Sequence, residues 1–368
     1  MMERRQIVRL WRQGGAAVLV TLVKVSGSSY RQAGARLLLN SDGEYAGTIS
    51  GGCLEAEVVR KAAWMARNGA VVERYSTIFD DTAEIPFGLG CGGEVDLLIE
   101  PADTPECRAL ISAMESSLAG NESTVVTWLP DSGKSLRRVV LDADGTVRFA
   151  SNELGEKKID CAKGLQAGGD YQGRFVESLH APQRLFVFGA GDDAKPLVSM
   201  ASLLGWAVTV ADARSQLART ERFAAAEQVK VLESTSSLEI SASDAVVVMT
   251  HSYEQDRQIL AALLPVRPRY LGLLGARHRS SLLMSEVADL TGQTIADCCE
   301  QIHAPIGFDL GGDGPESIAL AIIAEVQGCC MGKIGTSRKL TPESVAEQIA
   351  LGGASRYLQA QCAMDTLR

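Results

Sequence analysis

Hydrophobic and polar positions alternate differently in the two halves of the chain. In the first half, apolar stretches with strand-like spacing outnumber segments with helical spacing. The predicted strands are 16–25, 35–39, 45–49, 71–76, 94–100, 125–129, 139–141 and 147–150. The predicted helices are 4–13, 54–67 and 107–118. This mixture predicts a mixed α+β domain over residues 1–150.

From residue 184 onward, short apolar strands alternate with helices, which is typical of a doubly wound parallel sheet. The predicted strands are 185–188, 207–210, 245–250 and 270–274. The predicted helices are 194–204, 280–290 and 316–327. We therefore predict a Rossmann-like domain over residues 183–330. The fold class is α/β, with the mixed domain first and the doubly wound parallel-sheet domain after it.

Two segments show weaker periodicity. Residues 151–182 are rich in Gly, Lys, Asp and Gln, and we interpret them as the linker between the domains. Residues 331–368 form a C-terminal tail with one predicted helix, 342–351.

Composition narrows the class of protein. The chain has 368 residues, 46% of them hydrophobic, which excludes a disordered chain. Charged residues interrupt every apolar run before it reaches membrane-spanning length, and the N-terminus does not resemble a signal peptide. The net charge of −9 opposes nucleic-acid binding. We expect a cytoplasmic protein with no nucleic-acid or membrane partner.

Cysteine and histidine usage argues against a zinc site. The nine cysteines form no Cys-x-x-Cys pair, and the four histidines are scattered along the chain. Free thiols in a reducing compartment are expected.

The first motif with chemical meaning follows the strand 185–188 and opens a helix. It reads G-x-G-x-x-A, a dinucleotide-binding fingerprint. Gly189 would allow the tight turn, Gly191 would let a pyrophosphate approach the backbone, and Ala194 would permit close helix–strand packing. Asp212 lies just past the next strand, where a ribose-binding carboxylate belongs.

Two interpretations of this motif remain open. Asp192 and Asp193 lie where the helix N-terminus would face a phosphate, and a carboxylate there interacts favourably with the helix dipole. The motif therefore indicates either a dinucleotide site or a Rossmann-shaped domain in which Asp192 caps its own helix.

Two further turns combine glycines with a cysteine. They are Ser50-Gly51-Gly52-Cys53 and Gly90-Cys91-Gly92-Gly93. Backbone N–H groups in such turns can hold an anion, and a thiolate is favoured in the first turn of a helix. The alternative is that each cysteine is a small buried core residue.

Other candidates follow strands of the second domain. His251 lies at the carboxyl edge of the predicted sheet, as a ligand-binding or an ordinary loop histidine. Gly275 belongs to a second strand–helix turn, where Arg277 and Arg279 could meet an anion or remain solvated. Asp309 precedes the last predicted helix, as a catalytic, ligand-binding or capping residue.

Together these motifs resemble the XdhC/CoxI family of xanthine dehydrogenase accessory (maturation) factors. The stretches that carry the resemblance are 27–34, 50–55, 88–93, 188–191, 208–214, 271–277 and 304–307. The resemblance implies a chaperone that binds molybdenum cofactor (molybdopterin) and passes it, in sulfurated form, to a xanthine dehydrogenase-type client enzyme. It further implies a cysteine desulfurase as sulfur source and a homodimer.

The resemblance assigns roles to the candidate residues. Cys53 and Cys91 would ligate molybdenum or carry a persulfide, and the glycine-rich turns would hold the terminal phosphate of the pterin. Two positions depart from the family pattern: Tyr30 replaces the usual proline, and Asp192 replaces a common histidine. An accessory chaperone is favoured over a free-standing enzyme. The alternatives are an NAD(P)-binding oxidoreductase, for which no hydride-transfer acid–base pair is evident, and a scaffold with a vestigial pocket.

Overall fold

The computed structural model describes most of the chain as two compact units. The described residues are 1–27, 29–52, 54–76, 93–131, 135–168, 172–335, 339, 341, 342, 345 and 347. The first unit comprises residues 3–181, and the second begins at Pro182 and includes Met1 and Met2. The helix predicted at 342–351 lies almost entirely outside the described residues.

The first unit contains an antiparallel sheet of order β3-β2-β1-β5-β4. Its strands are β1 (Ala16–Ser26), β2 (Arg36–Asn40), β3 (Tyr45–Gly47), β4 (Val71–Ser76) and β5 (Glu94–Pro101). The helices of this region are α1 (Met2–Gln13), α2 (Glu55–Met65) and α3 (Pro105–Leu118). These elements agree with the sequence prediction to within a few residues at each end.

A second antiparallel sheet completes this unit, with order β8-β7-β6-β9. It consists of β6 (Ser123–Trp128), β7 (Arg137–Asp142), β8 (Val147–Ala150) and β9 (Arg174–Leu179), and α4 (Glu156–Lys163) packs against it. The interpretation of 151–182 as a linker missed α4 and β9. Strand β9 pairs with β6 along its whole length, so this segment is part of the first unit.

The two sheets are joined by a shared apolar layer. Residues of α1, α3 and both sheets form one buried cluster, which includes Ile7, Leu19, Leu110 and Val125. The opposite face of the first sheet packs against α2, and the opposite face of the second sheet packs against α4. Successive side chains of a strand point to opposite faces, and β1 and β2 have runs of consecutive buried residues, so both faces of the first sheet are covered.

A buried ion pair links the two sheets of this unit. Arg138 on β7 donates from Nη1 and Nη2 to the two carboxylate oxygens of Glu100 on β5, at 2.9 Å each. Both side chains are 1% exposed. Arg138 also donates to the Thr127 hydroxyl and the Glu106 carbonyl, which satisfies most of the guanidinium.

The second unit is built on a parallel sheet of order β12-β11-β10-β13-β14-β15. Its strands are β10 (Arg184–Phe188), β11 (Ala207–Asp212), β12 (Gln228–Val231), β13 (Ala245–Val248), β14 (Tyr270–Leu273) and β15 (Ile302–His303). Its helices are α5 (Ala194–Leu203), α6 (Tyr253–Leu263), α7 (Arg277–Thr291), α8 (Ile295–Gln301) and α9 (Pro315–Cys330). This is the 3-2-1-4-5-6 strand order of the Rossmann fold, so the predicted fold class is confirmed.

Both faces of the parallel sheet are covered by helices. Leu185 and Val187 of β10 face a core with α5 and α9, whereas Phe186 and Phe188 face a core with α6, α7 and α8. The strand order reverses between β10 and β13, and ligands of such sheets bind at the carboxyl ends of the strands at this point. None of the helices within the described ranges combines the length and apolar character needed to cross a bilayer.

The Arg138→Met variant tests the buried ion pair. We expect it to lower the free energy of unfolding of the first unit by about 3–5 kcal/mol, because Glu100 is left buried and unpaired. The double variant Arg138→Met/Glu100→Gln should recover part of this loss. Urea unfolding followed by tryptophan fluorescence measures it.

The matched control is Arg74→Met, which removes the Arg74–Asp96 pair of the same unit and should change stability little, because the arginine is 61% exposed. Equal effects of Arg138→Met and Arg74→Met would contradict a special role for the buried pair.

Candidate functional site

The loop between β10 and α5 crosses the point where the strand order reverses. Gly189 follows β10 with φ +121°, and a Cβ atom there would lie 2.3 Å from the Met249 carbonyl oxygen. Any larger residue would therefore push the loop off the end of β13. Ala194 opens α5 and is fully buried, which fits close packing of helix on strand.

Asp212 at the end of β11 holds this loop. Its Oδ2 accepts hydrogen bonds from Ala190 N and Arg214 Nη2, both at 2.7 Å. Its Oδ1 accepts from Arg214 N and Nε at 2.8 and 2.9 Å. Burial alone would raise the pKa of Asp212, but the hydrogen bonds from Arg214 and Ala190 outweigh it and lower the pKa. The carboxylate predicted for a ribose is thus engaged by its own chain.

The space beside Gly191 is occupied by Asp193. A Cβ atom on Gly191 would lie 2.3 Å from Asp193 Oδ1, and Asp193 Oδ2 lies 2.8 Å from His251 Nε2. The small size of Gly191 accommodates this carboxylate where the motif predicts room for a pyrophosphate.

Asp192, the next residue, is exposed beside the same helix terminus. It pairs with Lys195 at 2.7 Å and Arg222 at 3.0 Å, and these two cations lower the pKa of Asp192. The N-terminus of α5 therefore already has carboxylates on two successive residues. An incoming pyrophosphate would meet like charge at this turn.

His251, which follows β13, lies at the same crevice and has a rare backbone conformation. Its φ of +63° is left-handed, which for a residue other than glycine costs roughly 1–3 kcal/mol. Thr250 before it donates its hydroxyl hydrogen at 2.6 Å to the fully buried Asp256. The structure therefore brings together His251, Asp193 and Asp212 around one crevice.

The remaining candidates of the second unit lie at the start of α7 and before α9. Gly275 precedes α7, and Arg277 is its exposed first residue. Asp309 does not cap α9, because the N-cap of that helix is Gly314.

In the first unit, the Ser50-Gly51-Gly52 turn surrounds a carboxylate of its own chain. Glu55, the first residue of α2, is 5% exposed. It accepts hydrogen bonds from four successive backbone N–H groups, those of Ile49, Ser50, Gly51 and Gly52, at 2.9–3.2 Å. The hydroxyls of Thr48 and Ser50 donate to it as well.

This arrangement occupies the N–H groups that the sequence predicted to hold an anionic ligand. Burial alone would raise the pKa of Glu55, but the hydrogen bonds from Ser50 and Thr48 outweigh it and lower the pKa to about 2. Sequence reasoning missed Glu55. The sequence contains a signal for this contact: two glycines precede a helix whose first residue is acidic, and such a carboxylate can accept from the N–H groups before the helix.

Tyr30 lies against this turn. A Cβ atom on Gly51 would lie 2.7 Å from the Tyr30 ring, so the ring covers the backbone at Gly51. Gly51 itself has a left-handed φ of +92°. The aromatic side chain therefore takes the space that a larger residue at position 51 would need.

Several predicted site residues lie outside the described residues. They are Cys53, Gly90, Cys91 and Gly92. Gly93 is described and lies immediately before β5. Among the described residues, no three His, Cys, Asp or Glu side chains are grouped so as to hold a metal ion.

Comparison with known proteins supports the fold. Residues 185–326 match the family described as the XdhC Rossmann domain, and residues 10–76 match the XdhC and CoxI family. The chain belongs to the XdhC and CoxI family. The two matched regions cover more than half of the chain and contain the Glu55 turn and the Asp212 loop.

Individual relatives extend over nearly the whole length. A Bacillus subtilis protein named as a probable component of xanthine dehydrogenase is 27% identical over 314 residues, which is 84% of this chain and 92% of that protein. The molybdenum cofactor insertion chaperone PaoD of Escherichia coli is 23% identical over 323 residues, 88% of this chain and 86% of PaoD.

A solved structure shares the fold. The crystal structure described as a xanthine dehydrogenase from Bacillus halodurans is 27% identical, with a TM-score of 0.78. The match covers 94% of this chain and 99% of that one.

The Glu55→Gln variant tests the filled turn. Glutamine would place an NH₂ donor among N–H donors, and we expect a loss of about 2–3 kcal/mol in the unfolding free energy at pH 7. Because the folded pKa is lowered from 4.5 to about 2, the wild-type contribution is present above pH 4.5 and declines as pH falls through that window. The difference between the two proteins should shrink by about 1 kcal/mol at pH 3.5.

Urea unfolding at pH 7 and pH 3.5 measures this difference. Glu73→Gln is the control, since it removes one exposed carboxylate of the same unit that accepts no hydrogen bond among the described residues. A pH-independent difference for Glu55→Gln would contradict the lowered pKa.

Proposed function

We propose that the protein is a maturation factor that binds molybdenum cofactor, assists its sulfuration and inserts it into a xanthine dehydrogenase-type client. Two relatives support this role, one named as a probable component of xanthine dehydrogenase and one as a molybdenum cofactor insertion chaperone. The proposal includes a cysteine desulfurase as sulfur donor, a homodimeric state and a cytoplasmic location.

One structural observation favours this role over an oxidoreductase. The glycine-rich loop at the sheet crevice is occupied by Asp212 and Asp193, which are carboxylates of the same chain. A dinucleotide in the usual Rossmann pose needs the loop open to its pyrophosphate and a free carboxylate for its ribose. The second unit therefore supports binding of another kind of ligand more than NAD(P) chemistry.

The proposal gives Cys53 and Cys91 the sulfur chemistry. Molybdenum accepts soft thiolate ligands, and thiolates also accept sulfane sulfur. A cysteine thiolate would attack the outer sulfur of the desulfurase persulfide, forming a new S–S bond and releasing the desulfurase cysteine as a thiolate. This exchange is balanced in electrons and needs no oxidant.

Anaerobic purification from cells that make molybdenum cofactor tests the proposal. We expect bound pterin, measured as oxidised-pterin fluorescence, together with molybdenum near one equivalent per chain. Cys53→Ala and Cys91→Ala should lower the bound molybdenum or the activation of a client hydroxylase at least tenfold. Cys299→Ala, at an exposed free cysteine of α8, is the matched control and should change neither.

If the purified wild-type protein contains neither pterin nor molybdenum, the chaperone assignment is overturned. Full cofactor content and client activation in both cysteine variants would overturn the thiol roles alone.

A titration with NAD⁺, NADP⁺ and their reduced forms tests the oxidoreductase alternative. We expect no saturable heat of binding up to about 1 mM ligand, because the α5 terminus presents Asp192 and Asp193 to the pyrophosphate. Tight binding that weakens in Asp212→Ala would instead support the oxidoreductase.

A further inference from the structure

The first turn of α7 has basic side chains, which are unfavourable at the N-terminus of a helix. Arg277, His278 and Arg279 occupy its first three positions, at the positive end of the helix dipole. Its N-cap, Ala276, provides no side-chain hydrogen bond. Cations at an uncapped N-terminus are unfavourable unless an anion binds there, and the first N–H groups of a helix have no intrahelical partner.

A second, independent observation points to a ligand at this turn. Ser280 is 2% exposed, and its hydroxyl has no hydrogen-bond partner within the described part of the chain. A buried hydroxyl without a partner costs roughly 1–3 kcal/mol. A Cβ atom on Gly275 would lie 3.6 Å from Ser280 Oγ and 3.4 Å from Arg279 Nη1. The hydroxyl and the guanidinium therefore border the same gap, the space beside Gly275 that a single Cβ atom would fill in ordinary van der Waals contact.

Arg279 is held in position for this gap. Its Nη2 donates to Asp256 Oδ2 at 2.7 Å, and its guanidinium lies 5.7 Å from the centre of the Tyr253 ring. Asp256 is fully buried and accepts hydrogen bonds from Thr250. Asp256 of α6 thus fixes one edge of the guanidinium, and Nη1 is the nitrogen nearest to Gly275.

The gap lies at the carboxyl end of β14, on the edge of the sheet where ligands bind. The first strand–helix turn of the same unit has Asp192 and Asp193 at the start of α5. The nearby cations Lys195 and Arg222 are already paired with Asp192, so α5 begins with carboxylates, whereas α7 begins with Arg277 and Arg279.

We propose that the β14–α7 turn is a binding site for a phosphate group, taken as a phosphomonoester dianion. Its donors are the first N–H groups of α7, the Ser280 hydroxyl and Arg279 Nη1, with Arg277 supplying further positive charge. The proposal rests on the proposed function only for the identity of the molecule that carries the phosphate, either a pterin or a nucleotide.

Titration calorimetry of the full chain with inorganic phosphate, at constant ionic strength, tests the site directly. We expect saturable millimolar binding to the wild-type protein, weakened at least fivefold in Ser280→Ala and about tenfold in Arg277→Gln. Ser280→Ala removes an unsatisfied buried hydroxyl, so the variant should be at least as stable as the wild type. Lys230→Gln is the matched charge control. Lys230 lies on β12, the edge strand of the sheet that is far from β14, so this variant should bind phosphate normally.

Absence of saturable phosphate binding to the wild-type protein would overturn the proposal. So would equal affinities in Ser280→Ala, Arg277→Gln and Lys230→Gln.

The source of the phosphate is distinguished by what copurifies. Pterin and nucleotide released from anaerobically purified wild-type and Arg277→Gln protein are separated by chromatography. Loss of pterin from the variant assigns the phosphate to the pterin, and loss of a nucleotide with pterin retained assigns it to the nucleotide.

Failure of the proposed maturation-factor role and failure of the phosphate site give different experimental results. Phosphate binding that depends on Ser280, in a protein that carries no pterin, would remove the chaperone role and keep the anion site. Wild-type pterin content in a Ser280→Ala variant that no longer binds phosphate would show that the site does not anchor the cofactor.

Discussion

Backbone N–H groups in a glycine-rich turn need acceptors, and this requirement organises the molecule. In each unit, a carboxylate from the same chain meets it. Glu55 collects four successive N–H groups of the turn before α2, and Asp212 receives the N–H group of Ala190 after β10. An unpaired donor at either place would cost as much as a lost hydrogen bond. Both turns are therefore shaped before any ligand arrives.

The charge that each turn presents then decides what it can bind. A turn filled by its own carboxylate repels phosphate, even when the glycine spacing matches a dinucleotide fingerprint. In the described part of the chain, no carboxylate accepts a hydrogen bond from the first N–H groups of α7, and Asp256 pairs with Arg279. A single fold thus holds similar strand–turn–helix units with opposite electrostatic character, and fold alone does not determine the ligand.

Sequence patterns predicted most strands of both units and the Rossmann-like parallel sheet, because buried strands and the G-x-G-x-x-A spacing are local signals. The pattern also located Asp212, but it did not show that this carboxylate is engaged by its own chain, because the bond from Ala190 N depends on how β10 and β11 lie in the sheet. Strand β9 was missed because its six residues alternate weakly within a polar segment, and its pairing with β6 is a long-range contact. Helix α8 and strand β15 are short and β12 is mostly exposed, so none of the three has a periodic pattern of sufficient length.

The pairing of β6 with β9 determines where the chain can be truncated without exposing a strand. A fragment that ends at residue 150 would contain every strand that the sequence pattern predicts for the first unit. It would lack β9, so β6 would become an edge strand. The bared edge would present unpaired N–H and C=O groups beside Val125 and Val126, both fully buried in the intact unit. Such an edge is a template for pairing with other chains, so the fragment would self-associate as an artefact of where it was cut.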